Sequence, residues 1–148
     1  DQSKFDLGYD TDPTYRTNFF ASIGFASAEN VNILVRGDVY SYARNDDREA
    51  WHRPTYKVTA DASFNIVKKI LLDVNVIGQG GMVALDPVLQ TAVDLDAALD
   101  VNVRTEYLLS DTFSIFIQLN NITSSEYPLF LYYPVRGFQT LGGITWKF

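Results

Sequence analysis

Hydrophobic and polar residues alternate along most of this chain. In the stretch AVDLDAALDVNVRTEYLL, residues 92–109, one set of alternate positions carries Val, Leu, Ala, Thr and Tyr, while the other carries mainly Asp, Asn, Arg and Glu. A helix would scatter the aspartates around its whole circumference, whereas a strand places them on one face. The pattern therefore predicts a strand much longer than the usual length of about 5–6 residues.

The same alternation predicts eight strands, and the connections between them alternate in length. SAEN, VKK and SDT are short, whereas DTDPTY, NDDREAWHRP, GGMVALDPVLQT and TSSEYPLFLYYPVRG are long. Short turns at one end and long loops at the other are typical of outer-membrane barrels. The sequence therefore predicts an all-β fold, an antiparallel transmembrane β-barrel meander in which residues 1–148 form one barrel segment. The predicted strands are residues 4–10, 16–26, 31–44, 56–66, 70–82, 92–109, 113–121 and 138–148.

Alternation alone does not say which face meets which solvent, because a soluble lipocalin-like barrel also alternates. Three features favour a membrane: the loops differ in length between the two ends, aromatic residues gather at the strand ends, and the apolar faces carry no charge. We expect Val74, Leu95, Val101 and Ile117 to face lipid. We expect the polar set to face a wetted lumen; it includes Arg36, Asp61, Asp73, Asp96, Asn102 and Arg104. The aromatic bands are Phe64, Tyr107, Phe113, Trp146 and Phe148 at the tight-turn end, and Tyr9, Tyr56, Tyr127, Tyr132, Tyr133 and Phe138 near the long loops.

The composition of the chain excludes several classes of protein and of site. The chain has 18 acidic and 12 basic residues, a net charge of −6, and no cysteine. A nucleic-acid partner would require a basic stripe, which the sequence lacks. Disulfides and thiolate metal sites are excluded, and no apolar run reaches the roughly 18 residues of a membrane helix.

The last thirty residues carry a recognisable motif. Asn121, Ile122, Thr123 and Tyr127 are followed by a Pro-x-x-Gly phrase at 134–137, and the final strand closes on aromatic-x-Phe. This stretch resembles the final hairpin of TonB-dependent receptors of the bacterial outer membrane. The resemblance implies that the chain is the C-terminal third of a receptor barrel, since such barrels have about 22 strands.

The same resemblance implies a function and partners. A TonB-dependent receptor takes up a ligand such as a siderophore, a cofactor or a glycan across the outer membrane of a Gram-negative bacterium. The partners implied are the lipid bilayer, the barrel-assembly machinery and TonB, the last reached through a plug domain that this sequence does not contain. In outer-membrane barrels generally the terminal aromatic strand is an assembly signal, which assigns that role to Trp146 and Phe148.

Candidate chemistry is sparse. The loop aromatics Trp51, Phe130, Tyr132 and Tyr133 are candidates for stacking on a ligand, with interfacial or loop packing as the alternative. Asp94, Asp96 and Asp100 share one face of the predicted strand, where they either bind a hard cation such as calcium or are solvated lumen residues. His52, the only histidine, is interpreted as a loop surface residue. Without a nucleophile–base set, the sequence predicts no enzyme, no cofactor and no metal site.

Two other architectures remain open from the sequence. One is a complete eight-stranded outer-membrane barrel with a structural or adhesion role, and the other is a soluble lipocalin-like binding barrel. The first would pair Phe5–Tyr9 with Phe138–Phe148. We expect no such pairing, because the first segment is short and the polar face is too crowded for a narrow interior. The prediction is a curved open sheet that belongs to a larger barrel.

Overall fold

The computed structural model describes residues 14–28, 30–43 and 49–148, and these form one large antiparallel sheet and two small hairpins. Seven strands make the large sheet, in the order β1-β2-β3-β4-β7-β8-β11, and β5-β6 and β9-β10 are the hairpins. The strands are β1 (Tyr15–Ser27), β2 (Val31–Ala43), β3 (Tyr56–Ile66), β4 (Ile70–Gly80), β5 (Met82–Leu85), β6 (Ala92–Leu95), β7 (Ala98–Leu108), β8 (Phe113–Asn120), β9 (Pro128–Phe130), β10 (Tyr133–Pro134) and β11 (Gln139–Trp146). In the described part of the chain, no helix is long and apolar enough to cross a bilayer.

The register sorts the two residue sets onto opposite faces across all seven strands. A row of apolar residues crosses the sheet through paired positions: Phe25, Ile33, Ala62, Val74, Val103, Leu119 and Thr140. The adjacent row on the other face is Ala26, Asn32, Ser63, Asp73, Arg104, Gln118 and Leu141. We call the first side the apolar face and the second the polar face. A slip of one residue at any strand would exchange them.

The sheet contributes almost nothing to a conventional core. Among the described residues the buried hydrophobic cluster is Met82, Ala84 and Leu95, which lies in the β5-β6 hairpin. The apolar face is instead open, with Ile23 75% exposed and Ile144 68% exposed. Soluble proteins rarely expose a continuous apolar surface of this extent. The apolar face thus has the character of a surface that meets lipid.

On the polar face, ion pairs within a strand occur together with cation–π contacts to the neighbouring strand. Arg36 donates to both carboxylate oxygens of Asp38, at 2.8 and 2.7 Å, while its guanidinium lies 4.1 Å from the centre of the Phe20 ring. Arg104 repeats the arrangement three strands away, with Glu106 at 3.0 Å and the Phe116 ring at 4.1 Å. Each arginine therefore stacks on an aromatic ring of the neighbouring strand, although Phe20 remains 61% exposed.

The predicted strand at residues 92–109 is wrong in one respect, because it is divided. β6 ends at Leu95 and β7 begins at Ala98, and on the facing side β4 and β5 are separated by Gly81. Gly81 has φ +66°, and a Cβ there would lie 1.8 Å from Thr55 Oγ1, so only glycine fits. The ladder breaks at this point and the β5-β6 hairpin continues as a separate sheet. Much of the predicted long loop at residues 80–91 is consequently a hairpin.

Leu95 was expected to face lipid, and this prediction is wrong. Its side chain is 8% exposed and packs with Met82 and Ala84 in the hairpin. Val74, Val101 and Ile117 do lie on the apolar face. The alternation continues through residues 92–109 in the sequence, but the break after Leu95 takes that residue out of the large sheet.

Turn lengths alternate as predicted. The β1-β2, β3-β4 and β7-β8 connections are short and lie at one end of the sheet, where Phe113 and Trp146 are paired and their rings meet edge to face at 6.4 Å. In the described part of the chain β1 and β11 are the outer strands and do not pair with each other. The segment Phe5–Tyr9 lies outside the described residues, so its pairing stays a prediction.

The assignment of faces predicts a strong difference between two neighbouring substitutions in the central part of β3. In the full-length protein, Ala62→Arg places a charge on the apolar face, which costs about 2–4 kcal/mol near the bilayer midplane. The control Ser63→Arg places the same charge on the polar face, opposite Asp73. Urea titration of folded protein in lipid vesicles should show destabilisation by Ala62→Arg alone. Equal destabilisation by both substitutions would contradict the assignment.

Candidate functional site

The three long connections of the described chain meet in one assembly at the end of the sheet opposite the tight turns. The backbone N–H of His52 donates to the carbonyl of Val83 at 2.8 Å. The backbone N–H of Leu131 donates to His52 Nε2 at 3.4 Å, and the His52 and Phe130 rings lie 5.2 Å apart. We call this assembly the loop platform, which comprises residues 49–55, the hairpin at residues 82–95, and residues 121–138.

The loop platform has its own small core. Met82 and Ala84 are almost completely buried, Leu95 is buried beside them, and Leu131 packs against the cluster from the third connection. Loops that project from a sheet cannot use the interior of that sheet for packing, so they need local burial to be ordered. The hairpin and the 121–138 segment are therefore held together by apolar contact as well as by hydrogen bonds.

Asp86 organises the tip of the hairpin. Its carboxylate accepts the backbone N–H groups of Val88 at 2.7 Å and Leu89 at 3.0 Å, and its other oxygen accepts the Tyr132 hydroxyl at 3.0 Å. The donors, Leu89 first, hold the pKa of Asp86 below its ordinary value. The same carboxylate raises the pKa of the Tyr132 phenol. At neutral pH Asp86 therefore stays ionised and Tyr132 stays protonated. The hydrogen bond between them persists and fixes the orientation of the Tyr132 ring.

Asn121 ties the third connection to the sheet. It is 4% exposed and has φ +48°, which asparagine tolerates better than most residues. Its amide nitrogen donates to the carbonyls of Ser125 and Arg136, both at 3.0 Å, and its side-chain oxygen accepts from Ser125 N–H and Thr123 Oγ1, both at 3.1 Å. One side chain thus joins the beginning and the end of the 121–138 segment.

The remaining residues of the sequence motif also have structural partners in β7. The Thr123 hydroxyl lies 3.1 Å from the Leu99 carbonyl and shares its one proton between this carbonyl and Asn121 Oδ1, and the Tyr127 hydroxyl donates to Asp100 at 3.3 Å. Burial is the larger cause, and the nearby Asp100 carboxylate the smaller, that raises the pKa of Tyr127. The Tyr127 hydroxyl therefore remains a donor. The motif that resembles the receptors is therefore a set of anchors for the loop that carries Phe130, Tyr132 and Tyr133.

A chain of hydrogen-bonded amide and carboxylate groups crosses the polar face and ends at Asn121. Asn75 donates to Asp61 at 2.7 Å, Asn102 donates to Asn75 at 3.3 Å, and the backbone N–H of Asn121 donates to Asn102 at 3.1 Å. Asp61, Asn75 and Asn102 also line an open groove of about 460 Å³ on the polar face. The alternation pattern placed Asp61 and Asn75 on this face, but nothing in the sequence indicated that they lead to Asn121.

The structure brings together the segments that carry the predicted ligand-contact aromatics. Phe130, Tyr132 and Tyr133 are 58%, 68% and 70% exposed, whereas Trp51 is half-buried next to His52. The sequence interpretation of His52 as a loop surface residue missed its contacts with the other two segments. A short polar loop around a single histidine carries no periodic signal from which such contacts can be predicted.

The acidic candidates are distributed over two strands and the break between them. Asp94 is in β6, Asp100 is in β7, and Asp96 lies between the two strands. Among the described residues no three acidic or histidine side chains form a group that could hold a metal ion. Trp146 lies at the tight-turn end beside Phe113, and its role in assembly stays a prediction together with that of Phe148.

Replacement of Asn121 should release the loop without unfolding the sheet. In the full-length protein, Asn121→Ala removes the partners of two carbonyls and one N–H, with a penalty of about 1–3 kcal/mol for each group left buried. Hydrogen exchange of peptides within residues 122–136 should accelerate, while peptides of β3 and β4 stay protected. The control Asn120→Ala, which removes only a bond from Gln118, should leave the loop protected. Unchanged exchange in Asn121→Ala would contradict the anchoring role.

Comparison with known proteins identifies solved structures of similar fold. No protein-family model and no curated protein matches the sequence. Among solved structures, the FpvAI–pyocin S2 complex contains a chain that matches 91% of this one, with a TM-score of 0.78 and 11% identity. FpvA of Pseudomonas aeruginosa bound to heterologous pyoverdines matches 90%, with a TM-score of 0.77 and 12% identity.

The ferripyoverdine receptor of the Pseudomonas aeruginosa outer membrane, bound to ferripyoverdine, also matches 90% of the chain, with a TM-score of 0.75 and 12% identity. In each case the chain spans 19% of the length of the structure it matches. Identity this low establishes the fold alone. The resemblance read from the final thirty residues is confirmed at that level: the chain has the fold of a portion of a TonB-dependent outer-membrane receptor barrel.

Proposed function

We propose that this chain is the C-terminal barrel segment of a receptor that takes up a ligand across the outer membrane of a Gram-negative bacterium. The observation that carries the proposal is the loop platform: three connections held together by His52, Asp86, Asn121 and a small core, with three aromatic rings exposed on it. Ordered loops with exposed aromatics are suited to binding, because little conformational entropy is lost when a ligand stacks on them. Structural neighbours of the same fold include a receptor bound to ferripyoverdine.

The aromatic rings indicate the kind of ligand that fits. Phe130, Tyr132 and Tyr133 present ring faces, and the Tyr132 hydroxyl is already bonded to Asp86. Ring faces bind planar or apolar surfaces by stacking, which the aromatic groups of a siderophore, a macrocyclic cofactor and the flat face of a sugar all offer. Trp51, the fourth candidate, is half-buried. The proposed activity is transport, and it assigns no catalytic residue, no cofactor and no metal.

The remaining parts of the proposal concern partners. The apolar face would contact the lipid bilayer, and the wide polar face would line a lumen that holds a plug domain through which TonB acts. Trp146 and Phe148 would be read by the barrel-assembly machinery. The exposed Trp146 ring at the tight-turn end of the apolar face is suited to both an interfacial anchor and a recognition element.

The binding role of the platform predicts a loss of affinity when its rings are removed. In the full-length protein, Phe130→Ala, Tyr132→Ala and Tyr133→Ala together should weaken binding at least about tenfold, since each stacked ring contributes roughly 0.5–1.5 kcal/mol. Isothermal titration with a panel of ferric siderophores, corrinoids and oligosaccharides would identify the ligand and measure this loss. Phe25→Ala, an exposed aromatic on the apolar face, is the control and should leave affinity unchanged.

Two results would contradict the proposal. One is a ligand of the panel whose affinity is the same in the triple variant and in the unchanged protein. The other is an equal loss of affinity in the triple variant and in Phe25→Ala, because the loss would then reflect a general disturbance of the barrel.

A further inference from the structure

We propose that His52 is a proton-operated latch that holds the exposed aromatic loop, residues 128–134, onto the rest of the platform above neutral pH and releases it in acid. The proposal does not depend on which ligand the receptor carries. It rests on the position of the only histidine of the chain at the junction of all three platform segments.

The latch is the hydrogen bond from the Leu131 backbone N–H to His52 Nε2, at 3.4 Å. A neutral imidazole has one donor nitrogen and one acceptor nitrogen, so this bond requires the ring proton to be on Nδ1. Protonation would place a hydrogen on Nε2, directed at another N–H group. The attraction would then become a repulsion between two donors.

The surroundings of His52 oppose its protonated form. The ring lies 5.2 Å from that of Phe130, and Leu131, next in the chain, packs against the apolar cluster of Met82, Ala84 and Leu95. Burial lowers the pKa of His52 from its ordinary value near 6.5. The released state, in which the imidazole meets water, therefore binds a proton more tightly than the latched state.

The sign of the pH dependence follows from this difference. The latched state is fully favoured above about pH 6.5, the ordinary pKa of histidine, and loses stability as the pH falls through that value towards the lower pKa of the latched ring. The dependence levels off below the latched pKa, where both states are protonated.

Among the contacts of the described residues, no charged side chain offsets the free-energy cost of protonating His52. The charged side chains on the three platform segments are Glu49, Arg53, Asp86, Asp94, Glu126 and Arg136. Burial is the cause that lowers the pKa of His52, and none of these charges contributes. Asp86 is held by Leu89, Val88 and Tyr132, which keep its pKa low, so it does not change charge between pH 5 and pH 7.5.

His52 is also held in place by its backbone, so protonation would act on the loop rather than on the histidine. Its N–H donates to Val83 O at 2.8 Å, and its φ is +59°. Among the described residues, the aromatic loop is further attached through the Tyr132 hydroxyl on Asp86 and the packing of Leu131. The loop between the anchors at Asn121 and Arg136 is thus the part that would move.

Hydrogen exchange in the full-length protein without ligand tests the latch. After correction for the intrinsic pH dependence of exchange, a peptide covering residues 128–134 should exchange roughly two- to tenfold faster at pH 5 than at pH 7.5, the change expected for one hydrogen bond. His52→Gln keeps an acceptor oxygen that does not titrate, and should exchange slowly at both pH values. His52→Ala should exchange fast at both.

Two outcomes would overturn the proposal. One is exchange of residues 128–134 that is independent of pH in the unchanged protein. The other is a pH step of the same size in His52→Gln and His52→Ala, which would assign the step to a different group. Neither outcome concerns ligand uptake, since no ligand is present in the measurement.

Discussion

In the hydrocarbon of a bilayer, each backbone N–H or C=O group without a partner costs several kcal/mol. This constraint accounts for most features of the sheet. The inner strands β2, β3, β4, β7 and β8 are bonded on both sides over most of their length. Five strands, β1, β2, β3, β4 and β7, have 11–13 residues, which is enough to cross a membrane when tilted. In the proposed membrane setting, lipid would cover the apolar face, which therefore needs no core beneath it.

The constraint ends where the chain leaves the membrane, and the architecture changes there. Water can satisfy loop backbone groups, so the long connections need not be regular, but they must be ordered by contacts of their own. The buried cluster of Met82, Ala84 and Leu95 supplies apolar packing, while Asn121 and Asp86 each satisfy several polar groups at once. The sheet fixes where the loops begin and end, and these few contacts decide how they are arranged.

The sequence predicted the sheet well and the platform poorly, for a physical reason. A face exposed to one solvent along a whole strand leaves a period of two in the sequence, and this gave the strands, the faces and the alternating turns. The break after Leu95 was missed because the alternation continues through it, and the close approach of Gly81 to Thr55 at the same point of the sheet is a contact between distant segments. The roles of His52 and Asn121 are likewise contacts between segments, for which a single sequence contains no periodic signal.

If one face of the sheet meets lipid and the other meets water, site-directed labelling of β4 measures the difference directly. Single cysteines at Leu72, Val74 and Val76, and at Asp73 and Asn75, would be introduced into the full-length protein in membranes; residues 1–148 contain no natural cysteine, and any cysteine elsewhere in the protein would first be replaced. With this assignment of faces, the first three positions should react with a lipid-phase reagent and the last two with a small aqueous thiol reagent. Aqueous reactivity at Leu72, Val74 and Val76 with protection at Asp73 and Asn75 would contradict it.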